Sequence, residues 1–399
     1  MAEVSSVSSS LREWQKKALS LWIDNNNKGI VEVVTGGGKT RFALACIEKW
    51  IEPGDKVLIF VPTLALQDQW VVALEDDLKI PHKNISIWGE NDDPDCTFHV
   101  MVINTARTKA NQLISGNWKT FLIADECHRY ASPSNSGALE LPYEATLGLT
   151  ATAEREYDEG LSEVLVPNLG PIIFKYSIKE ASLDGVVSKF SLNNVEVPLD
   201  EDEIEQISRL SRAIGKAMSE GEIEKAKLLA MRRAGVSKKA ASRIPVTVRI
   251  VESNPGSRIL IFHEDIQSAE LIKNILQKRG TAALCYHSKI GAEMRRDNLR
   301  MFKSGMVKVL VSCRALDEGV DVPDVNVAII AAATSSQRQR IQRLGRALRK
   351  AVGKPTAVIY SLFATSSEAS SLRVESERVS EIAEIKWTSV NSLVSDENN

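Results

Sequence analysis

Two series of short apolar runs, separated by a charged helical stretch, limit what this chain can fold into. The first series is Ile30–Val34, Val57–Val61, His99–Ile103, Phe121–Ala124 and Thr146–Leu149. The second is Arg258–Phe262, Ala282–Tyr286, Val307–Val311, Val325–Ala331 and Thr356–Tyr360. Each run has strand length and is followed by a helical pattern, which argues mostly parallel sheets wrapped by helices. Between Pro198 and Arg249, Ile204, Ile207, Leu210 and Ile214 recur every three or four residues, and Ile223, Leu228 and Met231 less regularly. That spacing predicts two or three helices. A chain of 399 residues exceeds one ordinary core, so two α/β domains are expected.

Hydrophobic residues at 43% and charged residues at 26% describe a water-soluble globular chain. No apolar run approaches the roughly 18 residues of a membrane span, and the first ten residues lack a secretory pattern. A cytoplasmic location is expected, on the nucleoid if the chain is bacterial or from a phage. Net charge is −2, so a nucleic-acid partner must be met by local patches. The five cysteines are scattered; Cys96 and His99 have ligand spacing, but no second pair completes a zinc site.

The strongest chemical signal is Val33-Val-Thr35-Gly36-Gly37-Gly38-Lys39-Thr40, between an apolar run and a helical segment. Three glycines let successive backbone N–H groups turn inward around an anion, and the following helix adds its positive end. Lys39 would reach the β and γ phosphates, and Thr40 would hold magnesium. Val33 replaces the usual first glycine. The bland alternative is a Gly-rich strand-to-helix turn.

The second signal is Phe121-Leu-Ile-Ala124-Asp125-Glu126-Cys127-His128. An apolar strand delivers two consecutive carboxylates at its C-terminal end, where open α/β sheets bind ligands. Asp125 would hold magnesium, and Glu126 would polarise the attacking water. Farther on, Gln342, Arg346 and Arg349 fall three to four residues apart and share one helix face. Two guanidiniums aimed together suit a γ-phosphate during transfer, and such arginines are worth about 10³–10⁵ in rate.

These motifs, in this order, resemble those of superfamily 2 helicases. Leu11-Arg12-Glu13-Trp14-Gln15 resembles the element whose glutamine reads adenine. Val61-Pro-Thr63-Leu-Ala-Leu-Gln-Asp-Gln69-Trp70 resembles motif Ia, and Ile103-Asn-Thr105 the next strand-end contact. Leu149-Thr150-Ala151-Thr152 resembles motif III, and Ile259–His263 motif IV. Val311-Ser312 through Gly319, Asp321 and Pro323 resembles motif V, and Gln339–Arg349 motif VI. The resemblance implies two RecA-like parallel-sheet domains in tandem, with a helical insertion before or within the second. It implies ATP and magnesium at the cleft between domains, with Gln15, Thr35, Gly36, Gly37, Gly38, Lys39, Thr40, Gly319 and Asp321 on the nucleotide. Thr40 and Asp125 would take the metal, and Glu126, Gln342, Arg346 and Arg349 the chemistry. Thr63, Thr105 and Ser312 would bind nucleic-acid phosphates; each is also an ordinary strand-end hydroxyl.

Asp-Glu-Cys-His, Leu-Thr-Ala-Thr and Glu-Gly-Val-Asp-Val-Pro are most similar to the XPB and RadD-like DNA helicase group. The expected domains are residues 1–178, a linker strand and helical insertion at 179–250, 251–365, and a C-terminal helix and frayed tail at 366–399. The implied activity is ATP-dependent helicase or translocase action, on DNA rather than RNA. Two alternatives are an RNA-dependent ATPase and an ATP-switch subunit of a repair, restriction or phage-defence complex. Secondary candidates for nucleic-acid contact are His287-Ser288-Lys289, Arg295-Arg296 and the basic run from Lys225 to Arg243, which also reads as a solvated face. Six tryptophans before residue 120 read mainly as core. His128 reads either as a coupling residue or as a strand-end cap.

Overall fold

The computed structural model describes residues 7–151 except 115, 117 and 133, then 160–177, 180, 181, 184, 190–313, 325–334, 357–377, 380 and 383–390. The chain forms two compact units whose boundary falls between residues 187 and 188.

The first unit is built on β1 (Lys28–Val33), β2 (Lys56–Val61), β3 (Ile85–Ile87), β4 (Phe98–Val102), β5 (Thr120–Asp125), β6 (Ala145–Thr150) and β7 (Ile172–Tyr176). They pair in the order β3-β4-β2-β5-β6-β1-β7, and every pairing is parallel. Every residue of β2, β5 and β6 is buried, which is why their sequences read as unbroken apolar runs. Successive side chains alternate between two cores. Val31, Val33, Ile59, Ile123 and Leu147 meet Trp14, Trp22, Phe42 and Trp70 on one face. Ile30, Leu58, Phe60, Leu122 and Ala124 meet Ile103, Leu113 and Tyr130 on the other. At about 1.5–3 kcal/mol for each large apolar side chain, this two-sided burial fixes the register.

The second unit repeats the plan with β8 (Phe190–Glu196), β9 (Ile259–His263), β10 (Ala283–Tyr286), β11 (Val309–Cys313), β12 (Val327–Ile330), β13 (Ala357–Phe363) and β14 (Ala383–Ser389). Their order is β10-β11-β9-β12-β13-β8-β14, again parallel throughout. Leu192 of β8 lies opposite Ile359 on one side and Ile385 on the other. The strand expected within the linker is thus an internal member of this sheet. The helical insertion therefore lies within the second unit, between β8 and β9. Part of the expected frayed tail is also ordered as β14, an edge strand whose half-exposed side chains hide it in the sequence.

The insertion consists of the helices Glu201–Ser219, Ile223–Lys238 and Arg243–Glu252. Asp200 caps the first: its carboxylate accepts from Glu203 N at 2.8 Å, while Glu203 accepts from Asp200 N at 3.0 Å. Such a box is worth about 1 kcal/mol. Much of the expected basic run is a solvated face, with Lys225, Lys227 and Lys239 exposed and paired to Glu222, Glu224 and Asp265, while the less exposed Lys238 pairs with Glu264. Arg243 departs from a solvated face altogether, being 1% exposed. It donates to Ser237 O at 2.8 Å, Ala331 O at 2.7 Å and Leu362 O at 2.9 Å, and to both Glu368 oxygens at 2.9 and 2.8 Å. One guanidinium thus ties the insertion to β13, to the residue just after β12 and to the C-terminal helix Ser366–Glu377. No described helix is long and apolar enough to cross a membrane.

Candidate nucleotide-binding site

The carboxyl ends of the first unit's parallel strands collect the expected site residues along one edge. In sheet order this edge carries Thr105 after β4, Thr63 after β2, Asp125 and Glu126 at β5, Thr150 at β6 and the glycine loop after β1. Ligands of open α/β sheets bind at this edge.

The loop turns into the helix Lys39–Trp50 at Gly38, which has φ 102° and caps it. A Cβ on Gly38 would come within 2.9 Å of Gln15 Nε2, and one on Gly37 would run into the Val33 side chain. Both positions accept glycine alone, which keeps the loop backbone bare. With the unpaired N–H groups of the following first turn, this fits a nucleotide phosphate. Thr35 and Thr40 are half-buried beside it.

Two residues ahead of the loop hold its shape. Gln15, 1% exposed, donates from Nε2 to Gly38 O at 3.0 Å, and its Oε1 accepts from Arg12 N at 2.8 Å. The Arg12 guanidinium donates to Gly37 O at 2.8 Å. Gln15, expected on adenine, is here bonded to the phosphate loop. Arg12 was not singled out; its spacing from Gln15 identifies a helix start and says nothing of a loop 25 residues away. Trp14 stacks on Tyr176 with ring centroids 5.3 Å apart and belongs to the core.

Lys39 Nζ lies 3.3 Å from Glu126 Oε1, and the two side chains are 11% and 12% exposed. Glu126 has φ 51°, a left-handed conformation unusual for a residue with a Cβ. That turn follows β5 directly and accompanies the approach of Glu126 to the loop lysine. Its other oxygen is 3.5 Å from His128 Nδ1, which shares a 2.9 Å hydrogen bond with Thr150 Oγ1. His128 therefore ties the end of β5 to the end of β6.

Asp125 is 5% exposed. Burial, and then the negative charge of Glu126, push its carboxyl up to about 6, against the opposing pull of Lys39 and of two hydrogen bonds. Those bonds come from Trp70 Nε1 at 2.9 Å and Glu126 N at 3.0 Å. Tyr130, buried on the same turn, donates to Asp125 O at 2.6 Å and Phe60 O at 3.0 Å. Trp70 and Tyr130 were unassigned in the sequence because both act through the fold.

The nucleic-acid candidates separate. Thr63 caps the helix Leu64–Asp76, accepting from Leu66 N at 3.4 Å, and Thr105 is half-buried in the helix Ile103–Lys109. Ser312 is 1% exposed within β11. Arg295 and Arg296, offered as secondary contacts, are 9% and 5% exposed, so they are not surface charges; Arg295 donates to Ile290 O at 2.9 Å. His287 is buried against Glu270 at 2.7 Å. With Cys285 these two form a three-residue group whose ligand atoms lie within 4.8 Å, but Lys273 already pairs with Glu270 at 2.5 Å. Gly319, Asp321, Gln342, Arg346, Arg349 and Thr152 lie outside the described residues.

Comparisons with known proteins match both halves of the chain. Residues 8–155 match the family described as type III restriction enzyme, res subunit, and residues 242–351 the helicase conserved C-terminal domain. The chain is 29% identical over 366 residues to DNA 3′-5′ translocase XPB2 of Sulfurisphaera tokodaii, covering 85% of this chain and 79% of that one. It is 26% identical over 368 residues to putative DNA 3′-5′ helicase Rad25 of Haloarcula marismortui, covering 90% of this chain but 53% of that one. In fold it is similar to Saccharomyces cerevisiae Dbp5 bound to RNA and ADP BeF3, with TM-score 0.65, 14% identity, and coverage of 97% and 92%. The two parallel sheets have the tandem RecA-like helicase fold, and the helicase relatives indicate an ATP-dependent DNA helicase, an ATP hydrolase. These matches support a superfamily 2 helicase of the XPB-like kind.

Proposed function

We propose that this protein is a DNA helicase or translocase driven by ATP hydrolysis between its two RecA-like domains. The observation that carries the site is the Lys39–Glu126 pair at 3.3 Å beside a loop that admits only glycine. In this reading Gly36, Gly37, Gly38 and Lys39 hold the phosphates, and Thr40 and Asp125 hold magnesium, which supplies charge neutralisation when bound. Lys39 exchanges its carboxylate partner for phosphate, and freed Glu126 orients and deprotonates the attacking water. Gln15 reads the adenine, and its amide also braces the loop at Gly38. Gln342, Arg346 and Arg349 complete the site from the second domain, with Gly319 and Asp321 near the ribose and phosphates. Thr63, Thr105 and Ser312 contact polymer phosphates, which gives sequence-independent binding.

DNA as substrate is supported by the names of the two relatives, both of which also specify 3′-5′ action. We place the protein in the cytoplasm, on the nucleoid if bacterial or phage, with partners of a repair or defence complex. The test is ATP turnover with no polymer, single-stranded DNA, duplex DNA and RNA, followed by strand displacement on the best activator. Lys39→Ala and Glu126→Gln serve as controls. DNA stimulation is expected; stimulation by RNA alone overturns the DNA reading, and turnover surviving Lys39→Ala overturns the site.

A further inference from the structure

Trp70 is fully buried, yet its one polar atom does not end in the core: it donates to Asp125 Oδ2 at 2.9 Å, across 55 residues of sequence. The other carboxylate oxygen accepts from Glu126 N at 3.0 Å. With one donor on each oxygen, the carboxylate cannot turn about its terminal bond without breaking a hydrogen bond of a buried group. Each oxygen keeps a second lone pair for a cation. An indole N–H can only donate, so its place on Oδ2 is fixed as a donor to a carboxylate lone pair. Trp70 lies on the helix Leu64–Asp76, whose residues 65–74 are all buried and whose N-cap is Thr63. Its ring is therefore held by packing on every side.

We propose that Trp70 is a positioning residue for the divalent cation: its indole holds the Asp125 carboxylate in the orientation that receives the metal. The inference rests on Asp125 being the metal carboxylate, as argued under the proposed function. Outer-shell donors of this kind alter metal affinity by about 10–100-fold when removed.

The test uses the full-length protein with ADP, and manganese as the probe, its binding read by electron paramagnetic resonance. Trp70→Phe keeps the apolar body and removes the donor. Manganese affinity of the ADP complex is expected to fall about tenfold, while ADP affinity in excess chelator stays unchanged. Trp22→Phe is the packing control, since Trp22 is equally buried and donates instead to Thr146 O at 3.0 Å. Unchanged manganese affinity in Trp70→Phe, or an equal loss in Trp22→Phe, overturns the proposal. Asp125→Asn separates the two readings. If it leaves manganese binding intact, the metal assignment itself fails; if it abolishes binding while Trp70→Phe does not, only the positioning role fails. The wild-type protein gives an answer that needs no folded variant. Its Trp70 indole ¹⁵N–H signal is expected to shift on adding manganese-free magnesium and ADP, and an unmoved signal counts against the proposal.

Discussion

The Lys39 ammonium and the Glu126 carboxylate lie 3.3 Å apart, each nearly withdrawn from water. Removing one partner strands the other. Lys39→Ala is expected to lower stability by about 2 kcal/mol in urea denaturation without nucleotide. The double variant Lys39→Ala with Glu126→Gln should recover much of that loss, because no charge is left unpaired. Equal losses in the single and double variants would mean the pair is not coupled.

Glu126→Gln alone should keep ATP binding and lower the maximal turnover by about 10²–10⁴, the range of a general base. Filter binding and steady-state hydrolysis separate the two quantities.

Asp125 gives a pH signature of defined sign. Its carboxyl is raised from 3.8 to about 6 in the folded protein, chiefly by burial. Between those values the folded state binds more protons than the unfolded one, so stability falls as pH rises. Relative to Asp125→Asn, metal-free wild type should lose stability from about pH 4 to about pH 6 and level off above. Thermal denaturation in chelator across pH 4–8 measures it; a wild type that gains stability relative to Asp125→Asn as pH rises would contradict the assignment.

Gly37→Ala adds a methyl group where Val33 already stands. The loop must shift or strain, at about 1–3 kcal/mol. Affinity for a fluorescent ADP analogue should fall at least about tenfold, with circular dichroism unchanged.

Arg243→Met removes the charged partner of the Glu368 carboxylate and the Arg243 bonds to the carbonyls of Leu362 and Ala331. A loss of about 3–5 kcal/mol is expected. Because all these partners lie in the second unit, calorimetry should show only that unit's transition moving, with ADP binding preserved.

Arg346→Ala tests the residue assigned from motif spacing. ATP binding should persist while hydrolysis drops by about 10³ or more; parallel loss of both would show that it is no arginine finger.

The central strands were legible because a parallel sheet covered on both faces leaves few polar positions, so the apolar runs within β2 and β5 spell their burial directly. The three-residue β3 was too short to stand out, and β14 pairs through its backbone while half its side chains remain in water. In the site, Lys39, Asp125 and Glu126 follow from residue order, since strand ends and loops bring them together in any such sheet. Arg12, Trp70 and Tyr130 do not, because each owes its role to a partner set by tertiary packing. Arg243 was misread for a related reason: a charge run looks solvated until the fold supplies carbonyls and a carboxylate to surround one member.

The placing of β8 between β13 and β14 has a consequence for the order of assembly. All seven strands of the first sheet have been synthesised once Tyr176 has emerged, so that domain can fold while the rest is being translated. The second sheet cannot close in the same way. Phe190–Glu196 finds its neighbours only at Ala357–Phe363 and Ala383–Ser389. Its first strand must wait, with one apolar flank open, until nearly the whole second half has left the ribosome. That long-range closure makes the second domain the slower to form and the more exposed to misassembly.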